Sequence, residues 1–348
     1  MSEQRTVTPE EIDEERLADV ALRPRRLEEF VGQPGVHEQV RILVDAARLR
    51  AEALDHILLY GPPGLGKTTL AQIIANEMGV NARLTSGPAL EHQGMLASIL
   101  TSLDERDVFF IDEVHRLGRA VEEALYPAME DLAFDFVAGK GAGAQTLRLS
   151  LNRFTVIGAT TRAGALGGPL RDRFGVTFRL DFYAVDELIA IINRSAGLLG
   201  VDIDAAGAHL IASRARGTPR IANRLLRRAR DYAQVRAAGH IDAAVASAAL
   251  DVLGIDISGL DELDRRVLSV LCGSLRAHPV GVQTIAVSVQ EDPDTIEDVV
   301  EPFLIRIGFL ARTPRGRLAT AAAYRHLGVP VPQGAPGAEE PQASLFGS

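Results

Sequence analysis

The segment that most constrains this chain is Gly61-Pro62-Pro63-Gly64-Leu65-Gly66-Lys67-Thr68. It follows the apolar run His56–Tyr60, which reads as a buried strand, and precedes Thr68–Met78, whose apolar spacing is helical. Strand, glycine-rich loop and helix in that order fit G-x-x-x-x-G-K-[ST], a loop whose backbone N–H groups wrap phosphates. The following helix turns its unpaired N–H groups on the same anion. Lys67 is placed to reach β- and γ-phosphates, and the Thr68 hydroxyl to ligate Mg²⁺. A second element matches the first: Val108-Phe109-Phe110-Ile111-Asp112-Glu113 is an apolar strand ending in two acids. Asp112 would hold the metal through its water shell, and Glu113 would accept a proton from, or orient, an attacking water. Together the two elements imply hydrolysis of ATP.

Around these motifs the pattern alternates helices with short strands. Thr8-Pro9-Glu10-Glu11 opens a helix with a cap, a proline at the first helical position and a capping-box acid. Val36–Ala53 is helical, and Phe154–Ile157 is a further apolar strand. Such alternation implies an α/β fold, a parallel sheet covered by helices on both faces. After Phe182 the strand signal fades, and Val185–Leu250 reads as a small all-α unit. Gly254–Gly259 reads as a linker. A third unit follows as three helices and a hairpin, a pattern that suggests a winged helix. Its third helix is delimited by Asp294 and Gly308, and its hairpin runs Phe309–Thr313, a Pro314-Arg315-Gly316 turn and Arg317–Ala321. The tail from Val329 is rich in Pro, Gly and Ala and is expected to be disordered. The expected boundaries are 1–181, 182–254, 255–330 and a tail over 331–348.

Length agrees with this count, since 348 residues at roughly 150 per domain give two or three. No apolar run approaches the roughly 18 residues that span a bilayer, and the acidic N-terminus lacks the apolar core of a secretory signal. Cys272 is the single cysteine, which excludes an intramolecular disulfide and a four-cysteine zinc site. A soluble, cytoplasmic protein is expected. The net charge of −9 would argue against nucleic acid, but it hides local asymmetry. Arg214–Arg236 holds eight arginines against one acid, and Arg306–Arg325 holds five against none.

Arginines at two places suit a nucleotide. Gly217-Thr218-Pro219 places Arg220 in the first turn of a helix, where it can contact a γ-phosphate from the all-α unit. In Leu170-Arg171-Asp172-Arg173-Phe174, one or both arginines can act on a neighbouring subunit's ATP. The phosphate loop, Ile111–Leu117, GATTRAG (158–164), PLRDRFG (169–175) and RARGTPRIANRLLRR (214–228) together resemble AAA+ ATPases, and most closely the RuvB family of Holliday-junction branch-migration motors. The resemblance runs from about Arg16 to Leu327. It implies a large AAA+ domain, a helical lid and a C-terminal winged helix, assembled as a homo-hexameric ring around duplex DNA. By that resemblance Leu22, Arg23 and Tyr183 would flank the base and ribose, and Gly64, Gly66 and Thr69 would join Lys67 and Thr68 in binding the nucleotide. Thr161, or Thr160, would be the polar sensor, Arg173 the arginine finger acting in trans, and Arg220 the second sensor. Glu130, Asp131 and Leu132 would lie close to the nucleotide.

For DNA, the third helix of the winged unit carries Asp294, Glu297, Asp298 and Glu301, a charge that suits a phosphate-lined groove poorly. The hairpin offers Arg312, Arg315 and Arg317 for phosphates, Arg312 and Arg317 above all. The alternating apolar residues Leu132-Phe134-Phe136 and Leu147-Leu149-Leu151 around Gly139–Gly143 mark an inserted hairpin, about 132–151. In the family this insertion resembles the docking element for RuvA, with Val137 and Ala138 toward its tip, and RuvC joins the larger complex. Gln342-Ala343-Ser344-Leu345-Phe346 resembles the short peptide with which bacterial proteins bind the sliding clamp. Two other readings share parts of this pattern. A clamp loader has the ATPase and lid, but Cys272 alone cannot build that group's zinc module. A nucleotide-gated DNA-binding regulator has a winged helix, but would read a promoter with an acidic helix.

Overall fold

The computed structural model describes residues 20–138, 145–276 and 278–338. The helix expected from Thr8, the Gly139–Gly143 turn and the Gln342–Phe346 peptide lie outside the described residues. The chain forms two compact units. One extends to Gly200 and takes in Gly217–Asn223; the other comprises Val201–Arg216 and the chain from Arg224 onward.

In the first unit, α1 (Pro34–Arg50) precedes β1 (Ile57–Tyr60), and the glycine-rich loop leads into α2 (Lys67–Met78). Then come β2 (Ala82–Ser86), α3 (Gln93–Thr101), β3 (Val108–Asp112) and α4 (Arg119–Glu130). The hairpin β4 (Ala133–Ala138) and β5 (Gln145–Ser150) precedes β6 (Thr155–Thr160), α5 (Gly168–Arg171), β7 (Val176–Arg179) and α6 (Val185–Leu199). Five of the strands make one parallel sheet in the order β2-β3-β6-β1-β7. Its central strands are almost wholly buried, as expected where helices cover both faces. Gly158 sits in the middle of β6 because a Cβ there would lie 2.8 Å from the Phe174 ring. Beneath the sheet Phe109, Ile111, Leu125, Phe134, Val156 and Phe174 share one apolar core.

The edge strands β2 and β7 carry Arg83, Thr85, Thr177 and Arg179 outward, and this polarity masks them in the sequence. In the inserted hairpin the apolar residues divide. Phe134 is fully buried in the core, whereas Leu149, paired opposite it, and Leu147 stay exposed.

The second unit begins with a short parallel pair, β8 (Asp202–Ile203) and β9 (His240–Ile241), inside the segment expected to be wholly helical. Asp204 and Asp242 cap the helices Ala205–Arg214 and Ala243–Val252 by accepting from Gly207 N and Val245 N. The winged unit follows, with helices Glu262–Cys272 and Val282–Val289 and the hairpin β10 (Leu310–Thr313) and β11 (Gly316–Ala319). Its third helix is α over Pro293–Thr295, π over Ile296–Val300 and α again over Glu301–Arg306. Pro302 explains the break: it has no N–H to donate, and its ring would strike the carbonyl four residues back in a regular α-helix. The tail expected to be disordered from Val329 instead packs back as far as Ala338. Ala335 is buried in the winged core, and the Pro336 carbonyl accepts from Ala321 N at 2.8 Å. No helix among the described residues is long and apolar enough to cross a membrane.

A buried charge cluster ties Val201–Arg216 to the winged helix within this unit. The Arg216 guanidinium lies 2.8 Å from Asp261 and 2.6 Å from Asp264, and its Nε donates to Gly259 O. Its far side stacks on Phe303, 4.7 Å from the ring centre. Burial pushes the Asp264 carboxyl up to about 7, against the pull of Arg216. A raised carboxyl contributes stability that is full below its unfolded value of about 3.9 and is lost as pH rises through the folded value. The second unit is therefore expected to unfold at lower temperature at pH 8 than at pH 5. Asp264→Asn should flatten that profile; an unaltered pH dependence in the variant, followed by thermal melts, would contradict the assignment.

Candidate functional site

A cavity of about 710 Å³ opens in the first unit at the carboxyl ends of β1, β3 and β6, the usual place for ligands in such sheets. Its walls bring together Leu22, Arg23, Gly64, Gly66, Lys67, Thr68 and Thr69 from the N-terminal side. Asp112, Glu113, Thr161, Tyr183 and Arg220 complete them from strand ends and the later helices.

The loop takes its shape from three left-handed glycines, Gly61, Gly64 and Gly66. At Gly61 a Cβ would fall 2.3 Å from the Leu180 carbonyl, and at Gly66 it would meet the Phe30 ring at 3.3 Å. Positive φ at all three positions, with the backbone clash at Gly61, favours glycine where the loop closes on an anion. Lys67 is buried, and its Nζ donates to the carbonyls of Gly61 at 2.8 Å and Pro62 at 2.9 Å. Tyr183 is also buried and donates its hydroxyl to Leu65 O at 3.2 Å, and its ring lies so near Gly32 that a Cβ there would fall 2.8 Å from it. Burial holds its phenol well above the ordinary value, so it remains a neutral donor. Arg220 enters from the first turn of Pro219–Arg236, its backbone N–H 3.4 Å from Gly64 O.

At the other end, β3 stops at Asp112 and Glu113 turns into the left-handed region at φ 48°. For a residue with a Cβ that conformation costs about 1 kcal/mol. The Glu113 backbone carbonyl faces Gly87, where a Cβ would approach to 2.5 Å, and its carboxylate accepts from Arg116 at 3.0 Å. Of the two sensor candidates, Thr161 faces the cavity. Thr160 is buried, with its hydroxyl 2.9 Å from His115 Nδ1 and accepting from Arg162 N. The donor chemistry fits magnesium: a threonine hydroxyl and a carboxylate are hard oxygen ligands that pair with phosphate oxygens at such sites.

Several residues on the walls carry no sequence signal. Arg194 of α6 donates to Leu22 O at 2.8 Å and to Glu29 at 3.2 Å, fixing the segment that holds Leu22 and Arg23. Phe30, Ser86 and Asn223 also line the cavity. Only Asn223, three residues beyond Arg220 on one helix, was within reach of spacing arguments.

Five expected residues, Glu130, Asp131, Leu132, Arg171 and Arg173, lie off the cavity walls. Arg173 donates to Glu130 at 3.1 Å and to Pro169 O at 2.6 Å, and its guanidinium stacks 4.1 Å from the centre of the Tyr126 ring. Asp131 pairs with Arg148 at 3.1 Å, and Leu132 packs partly into the apolar core. Arg171 is exposed.

In the second unit the hairpin register places Arg312 opposite Arg317, so both leave one face. Gly316 is forced by the close approach of Val280, whose backbone would lie 2.5 Å from a Cβ there. Val280 exchanges both backbone hydrogen bonds with Arg317 and adds a single bridge at the edge of the wing. Arg317 is the second of the two cations expected above all to reach phosphates. Its side chain is 10% exposed and is held by Glu301 at 2.8 Å and Glu297 at 2.7 Å, acids of the helix that the wing packs against. Arg312 and Arg315 are the exposed cations, Arg312 lying 3.6 Å from Glu301.

Comparisons with known proteins bear on all three segments. The family model described as the Holliday junction DNA helicase RuvB P-loop domain matches residues 22–180. The RuvB AAA lid domain matches 183–256, and the RuvB C-terminal winged helix domain matches 257–328. The RuvB Holliday junction branch migration motor of Thermotoga maritima is similar at 49% identity and TM-score 0.83, with 90% of this chain and 100% of that one covered. A point variant of the Thermotoga protein matches at 50% identity and TM-score 0.84, covering 89% and 99%. The lid and winged-helix matches set aside the clamp-loader and promoter-regulator readings. With a phosphate loop, paired acids and Thr161 around one cavity, and with matches that follow one another from end to end, the chain belongs to the RuvB family.

Proposed function

We propose that the chain is the ATP-hydrolysing subunit of a motor that drives branch migration of Holliday junctions in recombination and repair, six copies forming a ring on duplex DNA. One observation carries this reading. Lys67, Thr68, Asp112, Glu113, Thr161 and Arg220 surround a single cavity, while Arg173, the remaining cation of the set, stands outside it. A ring supplies that missing cation from the next subunit.

In this mechanism Lys67 leaves its loop carbonyls for the β- and γ-phosphates, and Glu113 orients and deprotonates the attacking water. Thr68 would hold Mg²⁺ directly and Asp112 through water, and the bound ion would supply positive charge to offset that of the transferred phosphoryl group. Arg220 senses the γ-phosphate. The chain passes into the second unit on either side of Gly217–Asn223, so displacement of Arg220 is carried there through the backbone. Loss of the γ-phosphate removes contacts that only one state makes, which is the condition for a nucleotide-driven switch.

The wing holds phosphates without reading bases. Arg312→Ala and Arg315→Ala are each expected to reduce the slope of log affinity against log salt by about 0.9, measured by duplex titration over a salt series. Arg317 is a phosphate contact in this reading too, and Arg317→Ala also removes the partner of a buried carboxylate and should destabilise the winged unit by about 3–5 kcal/mol. The exposed Leu147 and Leu149 of the inserted hairpin supply an apolar surface for RuvA, with Val137 and Ala138 nearer the tip, and RuvC joins the junction-bound complex.

The test is a four-way DNA junction supplied with RuvA, ATP and magnesium, with ring size read by mass photometry. Six-membered rings on the arms and ATP-dependent strand exchange are expected. Normal ATP turnover without movement of the junction would overturn the motor assignment.

A further inference from the structure

We propose that Tyr126 is a positioning residue for the trans-acting arginine, a platform that fixes the plane of the Arg173 guanidinium before it meets a neighbour's nucleotide. The proposal rests on the reading of Arg173 as a cation donated across a subunit seam, and adds what holds it there.

Three residues at four-residue intervals form one stripe along α4: Glu122, Tyr126 and Glu130. Glu122 accepts the Tyr126 hydroxyl at 2.6 Å and so fixes the rotation of the ring. Burial, then the bond to Glu122, raises that phenol to about 12, so the hydroxyl stays a donor across the working pH range. The Arg173 guanidinium lies on the ring face with its Cζ 4.1 Å from the centroid. Two donors hold it in that plane, one to Pro169 O at 2.6 Å and one to Glu130 at 3.1 Å. Its Nε is buried without a hydrogen-bond partner, so the inner end of the guanidinium is enclosed, while the side chain as a whole is 20% exposed. Stacking, two in-plane hydrogen bonds and an enclosed inner end remove most of the freedom of a long side chain. A cation held this way loses little entropy on meeting a phosphate, whereas a misplacement of 1 Å can cost about 10²-fold in rate.

The platform belongs to the subunit that donates the arginine, and this gives the test its asymmetry. Rings are mixed from two subunits. One, Arg173→Ala, offers an intact ATP site and no arginine. The other, Glu113→Gln, offers the arginine and no turnover of its own. Tyr126→Leu, which retains apolar volume without a π face, is then placed in either partner. In the Glu113→Gln partner it is expected to lower kcat about tenfold with KM unchanged, and Tyr126→Phe in its place to restore kcat. In the Arg173→Ala partner it should add no further loss. Equal loss from both placements, or no loss from either, would overturn the platform while leaving the trans arginine intact. Mixed rings without turnover even with Tyr126 unaltered in both partners would overturn the trans arginine, and the platform with it.

Discussion

Glu113→Gln is expected to bind ATP as the parent chain does and to release phosphate about 10²–10⁴-fold more slowly, the range that a positioned general base contributes. The argument begins with backbone geometry. β3 delivers Asp112 and Glu113 to one cavity wall, and the left-handed turn at Glu113 swings its carboxylate out of the strand's alternation. A left-handed conformation in a residue with a Cβ persists only where its surroundings over-determine it. Here they do: Gly87 alone leaves room for the Glu113 carbonyl, and Gly87 N donates to Asp112 O at 2.7 Å. Glutamine keeps the volume and the turn but cannot take a proton. Nucleotide affinity, set by Lys67, the loop glycines and Tyr183, should be retained. Fluorescent-nucleotide titration and phosphate release separate the two quantities. Unchanged turnover would move the base elsewhere, and lost binding would make Glu113 a structural residue of the loop.

What was legible in the sequence is what local chemistry determines. The loop glycines, Lys67, Asp112 and Glu113 lie within two short segments whose residue types answer to phosphate, metal and water directly. The parallel sheet was legible for the same reason, since strands buried on both faces read as apolar runs. Features set by distant partners were not. Arg194 acts on Leu22, 172 residues away, and a lone arginine in a helix carries no mark of that. Thr160 and Thr161 are chemically alike, and only the end of β6 decides which faces the cavity. Arg317 carries no mark in the sequence of its pairing with Glu297 and Glu301; the acids that suit the third helix poorly to a phosphate-lined groove are what hold the wing. Pro302 was visible, but its consequence, a π turn inside an otherwise continuous helix, depends on the helix surviving through packing of Ile296, Val300 and Leu304 in the core.

Arg173→Ala is expected to cost turnover about 10³–10⁵-fold, or roughly 4–7 kcal/mol of transition-state stabilisation, without loss of ATP binding. The geometry separates the two effects. Arg173 is absent from the walls of the cavity, so its removal leaves every residue that binds ATP within the same chain in place. Pro169 O and Glu130 each take one of its five N–H groups, and the fork has further donors for a γ-phosphate. The decisive measurement is complementation. Mixed in equal amounts with Glu113→Gln, the Arg173→Ala subunit should regain activity, because about a quarter of the seams in a random ring pair an intact site with an intact arginine. Neither variant is active alone, so any recovered turnover must arise at those seams. Recovery that rises and falls with the mixing ratio places the arginine on one subunit and the water-activating glutamate on the next. Activity that never exceeds the sum of the separate variants would place Arg173 in its own subunit's chemistry, and the ring would then be an assembly of complete sites instead of the catalyst itself.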